Sequence, residues 1–362
     1  MKKQFKNPEN ILVVRLGALG DIIHVMPAVK NLRTAYPNAH ISWLVEDKLK
    51  DLVDGVPDID EVIVFPRKRW QSLLKRPLNY GKLISEVRTF LKKLRLRKYD
   101  VVFDFHGNFK SGLLTFLSNT RTRVGFSRGF CKEFNYIFTH IRITPQRKRI
   151  HRIHKYLSLL EGVGIDARYQ RPVFSTPDTD RNYIHDFIYQ HCLHQKPLAI
   201  IHPGTSVFGK FKRWPAGNYA ILADRLIQEL GYSVLFTWGT LEYALTEEII
   251  SLMQQKATVA CKTSSVKQLI ALLRHARLYV GGDTGPTHIA STMGIPTVAI
   301  FGPKDPVIYA PHDKNAVVVR KDIPCSPCEK RSCEHITCIT AITPDDVFHA
   351  VCTLTCKRSL TF

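Results

Sequence analysis

The chain has 362 residues, 44% hydrophobic and 10% aromatic, too apolar for a disordered polypeptide and long enough for two domains. Its formal net charge is +21, unevenly spread: 34 Lys and Arg against 17 Asp and Glu in residues 1–181, and 18 against 14 in residues 182–362. No run of about 18 apolar residues exists to span a bilayer, and the basic start MKKQFKNPEN leads only into the run ILVV, short for an h-region, so no secretory signal is expected. A cytoplasmic protein whose N-terminal half meets an anionic partner is therefore expected.

Taken in chain order, ILVVRL (11–16) predicts a first strand, and a helix follows from about Asp21 to Tyr36. Strands are predicted at 40–45, 61–65 and 100–105, with helices beginning near Lys48 and running from about Leu78 to Leu96. Periodicity lapses after residue 163 in a stretch carrying Pro, Gly and Asp, read as a linker between domains 1–170 and 171–362. The pattern then restarts. Strands are predicted at 197–202, 233–238, 277–282 and 296–301, and helices at 215–230, 241–253 and 264–276. A last helix, 343–354, opens on Thr343 as its cap; the segment 343–356 is a candidate to pack back on the first domain. Strand–helix alternation in both halves predicts two Rossmann-like α/β domains facing each other across a cleft.

Chemistry concentrates at predicted strand ends. GGDTGPTH (281–288) follows the strand RLYVGG, and Asp283 or Thr284 can cap a helix whose first turn holds Pro286. Gly285 permits close approach, and amides at such a helix start favour an anion, so nucleotide phosphates are expected there with His288 one turn further on. HPGTSVFGKFKRWP (202–215) ends another strand, with Thr205 and Ser206 in a polar turn and Lys212 able to offset charge on a departing pyrophosphate. RLGALGDIIH (15–24) is the odd one. Its Gly17 and Gly20 form a phosphate-type turn, yet it ends on the carboxylate of Asp21. Asp21 is read either as a plain N-cap or as a base that accepts a hydroxyl proton. Four of the nine cysteines, Cys325, Cys328, Cys333 and Cys338, have a spacing that does not match a zinc ribbon; reduced thiols are expected, with metal the less favoured reading.

GALGDIIHVMPAVKNLRTAYP, the HPGT…KRWP segment and DTGPTHIASTMGIPTVAIFGPKDP together resemble the lipopolysaccharide heptosyltransferases of glycosyltransferase family nine. The resemblance implies a GT-B fold, an ADP-heptose donor with no cofactor required, and inverting transfer to the Kdo or heptose of a lipid A-linked inner core. It implies Asp21 as catalytic base, Lys212 as the contact of the donor phosphates and heptose, and Asp283, Thr284, Gly285 and His288 as the donor loop. It also implies Glu242 at the ribose hydroxyls, and Arg67, Lys68 and Arg69 of PRKRW (66–70) at acceptor carboxylates or phosphates. The glycines Gly17 and Gly20 would let the acceptor sugar approach the backbone. On this reading the protein works on the inner face of the inner membrane, its basic half against anionic lipid. A GT-B enzyme using another nucleotide sugar is the alternative. A nucleic-acid-binding protein ranks last, since no zinc-finger, RRM or KH signature is present.

Overall fold

Strands apolar on both faces must be buried on both, and a parallel sheet with helices on each side provides that environment. The computed structural model describes every residue except 1–4, 6, 76, 206, 240, 241, 329, 331 and 360–362. Its two units are Met1–Ser175 and Thr176–Phe362.

The first unit runs β1 (Asn10–Val14), α1 (Leu19–Ala35), β2 (His40–Glu46), α2 (Lys50–Val53), β3 (Glu61–Phe65), α3 (Arg67–Leu74), α4 (Tyr80–Leu94), β4 (Val101–Asp104), α5 (Phe109–Leu117), β5 (Thr122–Phe126), β6 (Ile141–Ile143) and α6 (Arg152–Gly162). Its six strands lie in the order β3-β2-β1-β4-β5-β6, with every neighbouring pair parallel. Ile11 to Val14 of β1 are wholly buried between Ile41–Leu44 of β2 and Val101–Asp104 of β4. The strand order reverses between β1 and β4, so the loops leaving their carboxyl ends part there and open a crevice, the usual ligand position in such sheets.

The second unit repeats the plan with α7 (Asp178–Gln190), β7 (Leu198–His202), α8 (Ala216–Gln228), β8 (Ser233–Phe236), α9 (Tyr243–Leu252), β9 (Thr258–Val259), α10 (Val266–Leu273), β10 (Ala276–Gly282), α11 (Gly285–Thr292), β11 (Thr297–Ile300), α12 (Pro306–Tyr309), β12 (Ala316–Val319), α13 (Thr337–Thr340) and α14 (Pro344–Ser359). The strand order β12-β11-β10-β7-β8-β9 places its reversal between β7 and β10. Trp214 anchors this core. It is buried edge-on against Tyr219 and donates its indole N–H to the Ile342 carbonyl at 2.8 Å.

Several expectations shift. The helix expected from Leu78 is preceded by a separate one, α3, formed by the basic segment itself. Three consecutive cations mask its pattern, because Trp70 is its main contact with the Phe65–Phe90 cluster. Helix α1 begins at Leu19 with Ala18 at its cap position and no side-chain cap bond, so Asp21 is not an N-cap but stands in the first turn. The terminal helix opens as expected: Thr343 and Asp346 exchange reciprocal cap bonds at 2.8 and 3.2 Å. Its apolar face, Val347, Phe348, Val351 and Leu354, is used up in the second unit's own core.

Candidate active site

In the first unit the groups converge on the carboxyl ends of β1, β2 and β4. Arg15 leaves β1, is almost fully buried, and pairs closely with Asp21 while donating to the Phe105 carbonyl at 3.2 Å. The Tyr156 hydroxyl from α6 donates to the other carboxylate oxygen of Asp21 at 3.3 Å. Asp21 is thereby oriented from two sides while a quarter of its side chain stays open to solvent. Burial pushes the Tyr156 phenol up to about 12, so it remains a donor to the carboxylate at neutral pH.

Beside this pair, Glu46 at the end of β2 is buried and accepts from Lys110 at 2.7 Å and Arg67 at 3.1 Å. Gly17 runs along that carboxylate: a Cβ there would lie 3.5 Å from its Oε2. Gly20 stands in the first turn of α1. Lys68 is exposed, and Arg69 forms a fork on Glu86 at 2.6–2.8 Å, away from Glu46. Of the three expected acceptor cations, only Arg67 therefore joins the cluster around Glu46.

Sequence reasoning missed the support beneath this site. Asp104, wholly buried at the end of β4, accepts from the amides of His106 and Gly107 and from Ser111 and Asn135, at 2.7–3.0 Å. Burial still pushes its carboxyl above the usual range. The Asn108–Ser111 capping box then starts α5 and brings Lys110 to Glu46. His106 Nδ1 accepts from the Leu16 amide at 3.2 Å, and burial together with the charges of Arg15 and Lys110 lowers the imidazole to about 3. Lys155, held on the Phe130 carbonyl at 2.7 Å, is lowered to about 8 by burial, with Arg152 and Arg15 adding to it. An FDFHG run ending a strand was the available signal. Its Asp looked like one more core-strand residue because its partners are 7 and 31 residues away.

In the second unit the groups sit at the ends of β7 and β10. Lys212 Nζ lies 2.8 Å from Asp283 Oδ2, and His288 Nε2 lies 3.7 Å from Oδ1. Burial alone would raise Asp283, but His288 and Lys212 outweigh it and hold the carboxyl at about 2. Thr284 occupies the cap position of α11 with Pro286 in its first turn, as expected, yet neither side chain caps the helix: Thr284 Oγ1 lies 3.2 Å from Thr287 Oγ1 instead. Gly285 opens α11 beside them.

Thr205 receives Arg213 at 3.0 Å, and Glu242 accepts from the Gly239 amide at 3.0 Å and from Arg213 at 3.4 Å. Thr205, Arg213 and Glu242 thus form one network over the end of β7. Ser206 lies outside the described residues. Among the described residues no group of three His, Cys, Asp or Glu is placed to hold a metal ion, and Cys325, Cys328, Cys333 and Cys338 are free thiols.

Two expected results follow from this geometry. A Cβ on Gly204 would overlap Glu242 Oε2, so Gly204→Ala must displace that carboxylate from Gly239 and Arg213. On the expected role of Glu242 at the ribose hydroxyls, nucleotide affinity measured calorimetrically falls about tenfold or more, the worth of roughly one charge-assisted hydrogen bond; unchanged affinity removes Glu242 from that role. His202, fully buried with Nδ1 3.0 Å from Thr237 Oγ1, is lowered to about 4 by burial. It is neutral when folded and takes up a proton on unfolding below 6.5, so its contribution to stability is lost as pH falls from 6.5 toward 4. His202→Asn should flatten the fall of the urea midpoint across that range.

Two doubly wound parallel sheets, each carrying polar and charged groups at its reversal point, are the architecture of the GT-B fold. The glycosyltransferase family 9 (heptosyltransferase) profile matches residues 87–338, and the chain belongs to that family. The chain is 27% identical to lipopolysaccharide heptosyltransferase 1 of Pseudomonas aeruginosa over 334 residues, covering 90% of this chain and 87% of that protein. A solved family 9 glycosyltransferase from Veillonella parvula superposes with a TM-score of 0.82 at 25% identity, over 98% of this chain and 99% of that one. The Escherichia coli heptosyltransferase WaaC solved with ADP gives 0.76 at 20% identity, over 95% and 99%.

Proposed function

We propose that this glycosyltransferase moves heptose from ADP-heptose onto the Kdo or heptose of a lipid A-linked lipopolysaccharide core, with inversion at the anomeric carbon, at the cytoplasmic face of the inner membrane. The Pseudomonas aeruginosa relative is a lipopolysaccharide heptosyltransferase, and the solved Escherichia coli heptosyltransferase carries ADP. One observation of this chain carries the chemistry. A carboxylate that is fixed on two sides yet partly open stands at the β1–α1 turn, where a phosphate-type loop would otherwise bind an anion.

The first unit would take the acceptor and the second the donor. Asp21 accepts the proton of the acceptor hydroxyl as that oxygen bonds to the anomeric carbon. The bond from that carbon to the diphosphate breaks, and its electron pair leaves with ADP. Lys212, with amides at the start of α11, meets the growing phosphate charge, and Glu242 takes the ribose hydroxyls. Arg67 and Lys110, both parked on Glu46, are cations a carboxylate or phosphate of the acceptor could recruit.

The test is mass spectrometry of ADP-heptose incubated with Kdo-lipid A and, separately, with heptosyl-Kdo-lipid A. One acceptor should gain a single heptose. Transfer to neither, with turnover of a different nucleotide sugar in a donor panel, would overturn the reading.

A further inference from the structure

Helices α3, α4 and α5 all cover one face of the first sheet. Trp70, Phe90, Leu94 and Leu114 meet there over Leu12, Val14 and Leu44. Arg95 of the α4 end donates to the Leu117 carbonyl at 2.7 Å, tying α4 to α5. Phe138, in the short turn after β5, packs edge-on against Phe109 at 5.3 Å and extends the same layer.

The outside of this layer is unusual in two ways at once. Among the described residues, ten of the seventeen large apolar side chains left exposed lie between Leu74 and Ile137. Leu78 is fully exposed, and Tyr80, Ile84, Phe116, Phe134 and Ile137 are about half exposed or more. The same stretch is strongly basic: residues 67–142 hold 18 Lys and Arg against four Asp and Glu, two thirds of the chain's net charge. One of those four acids, Asp104, is wholly buried.

Scattered exposed apolar residues are ordinary, but their concentration in the most cationic stretch of the chain, three of whose helices cover one sheet face, is not. Helix α4 buries Phe90 and Leu94 and packs Leu91 against the same cluster, but it leaves Tyr80 and Ile84 about half exposed on its outer side. Aliphatic and aromatic side chains among Lys and Arg match the boundary between acyl chains and phosphate headgroups, where the apolar groups enter and the cations stay with the phosphates. A second copy of the chain fits poorly, since two such faces would oppose like charges.

We infer that the α3–α4–α5 layer is a docking face for an anionic lipid bilayer. The face begins beside the acceptor-side groups: α3 starts at Arg67 and α5 just after His106, so docking would bring a lipid-linked sugar toward the carboxyl ends of the strands. Only this purpose rests on the proposed function; the docking itself does not.

The full chain should co-sediment with vesicles of phosphatidylcholine mixed with phosphatidylglycerol and not with pure phosphatidylcholine, and added salt should release it. Leu78→Ser with Ile84→Ser, and separately Lys92→Gln with Lys93→Gln, should each lower the partition about tenfold or more, with unchanged thermal midpoints because all four side chains are exposed. Equal binding to neutral vesicles, unchanged partition in both double variants, or a dimer that the apolar variant dissolves without any vesicle binding would overturn the inference. Transfer to a delipidated acceptor is measured alongside. Turnover there without vesicle binding discards only the docking face, and vesicle binding without turnover discards only the proposed reaction.

Discussion

Asp21→Asn is expected to lower kcat by about 10² to 10⁴-fold, the usual worth of a positioned general base, while ADP affinity stays near wild type. The substitution isolates basicity from geometry. Asn has the same shape, and its carbonyl oxygen can still accept from Arg15, which holds Asp21 Oδ2 while Tyr156 donates to Oδ1. Besides proton acceptance, Asn gives up the bond from the Tyr156 hydroxyl and the charge beside the buried Arg15, both local to the first unit, so the thermal midpoint is measured alongside. Donor binding, assigned to Lys212, Glu242 and the start of α11 in the second unit, involves none of these atoms. Steady-state rates with ADP-heptose and calorimetry with ADP separate the two quantities. Turnover near wild type in Asp21→Asn would remove Asp21 from the chemistry and leave it a partner of Arg15. Loss of ADP binding in step with kcat would point to a damaged fold instead.

The strands were legible because parallel central strands are apolar on both faces, as ILVV and LAIIH show, and no other element reads that way at such length. The cluster proposed for the donor was legible as a cluster because Asp283, Thr284, Gly285 and His288 fall within six residues. Long-range partners were not. Glu46 looks like the polar end of HISWLVE, and only the fold brings Arg67 and Lys110 to it from 21 and 64 residues away. Asp104 and Asn135 are likewise joined by topology, across 31 residues. The role of Arg15 was hidden by its place in an apolar run, where a cation reads as a strand end rather than as the partner of a carboxylate. The cap reading of Asp21, the plainer of its two readings, fails for a local reason: Ala18 takes a positive φ, and the helix starts two residues before the carboxylate. That frees Asp21 from the amides and leaves it to Arg15 and Tyr156.

Lys212→Met should also cost about 10² to 10³-fold in kcat, because a fixed charge beside the leaving diphosphate acts most strongly as that charge develops. A second effect accompanies it. Without donor, Lys212 is paired with Asp283, and both side chains are mostly buried. With its carboxyl held near 2 against an ordinary 3.8, Asp283 adds about 2 kcal/mol to folding, present above pH 3.8 and lost as pH falls toward 2. Removing Lys212 strips away one of the two partners that outweigh burial, leaving His288 at 3.7 Å, so stability should fall by about 1–3 kcal/mol. A low rate alone would then not distinguish a lost catalytic contact from a less folded enzyme. The double variant Lys212→Met with Asp283→Asn separates the causes, since it removes the buried charge together with its partner. Its urea midpoint should return toward wild type while kcat stays low. Recovery of kcat along with stability would reduce Lys212 to a structural counter-ion of Asp283. Recovery of stability alone would assign the lysine to the departing phosphates, with Asp283 keeping it in place until the donor arrives.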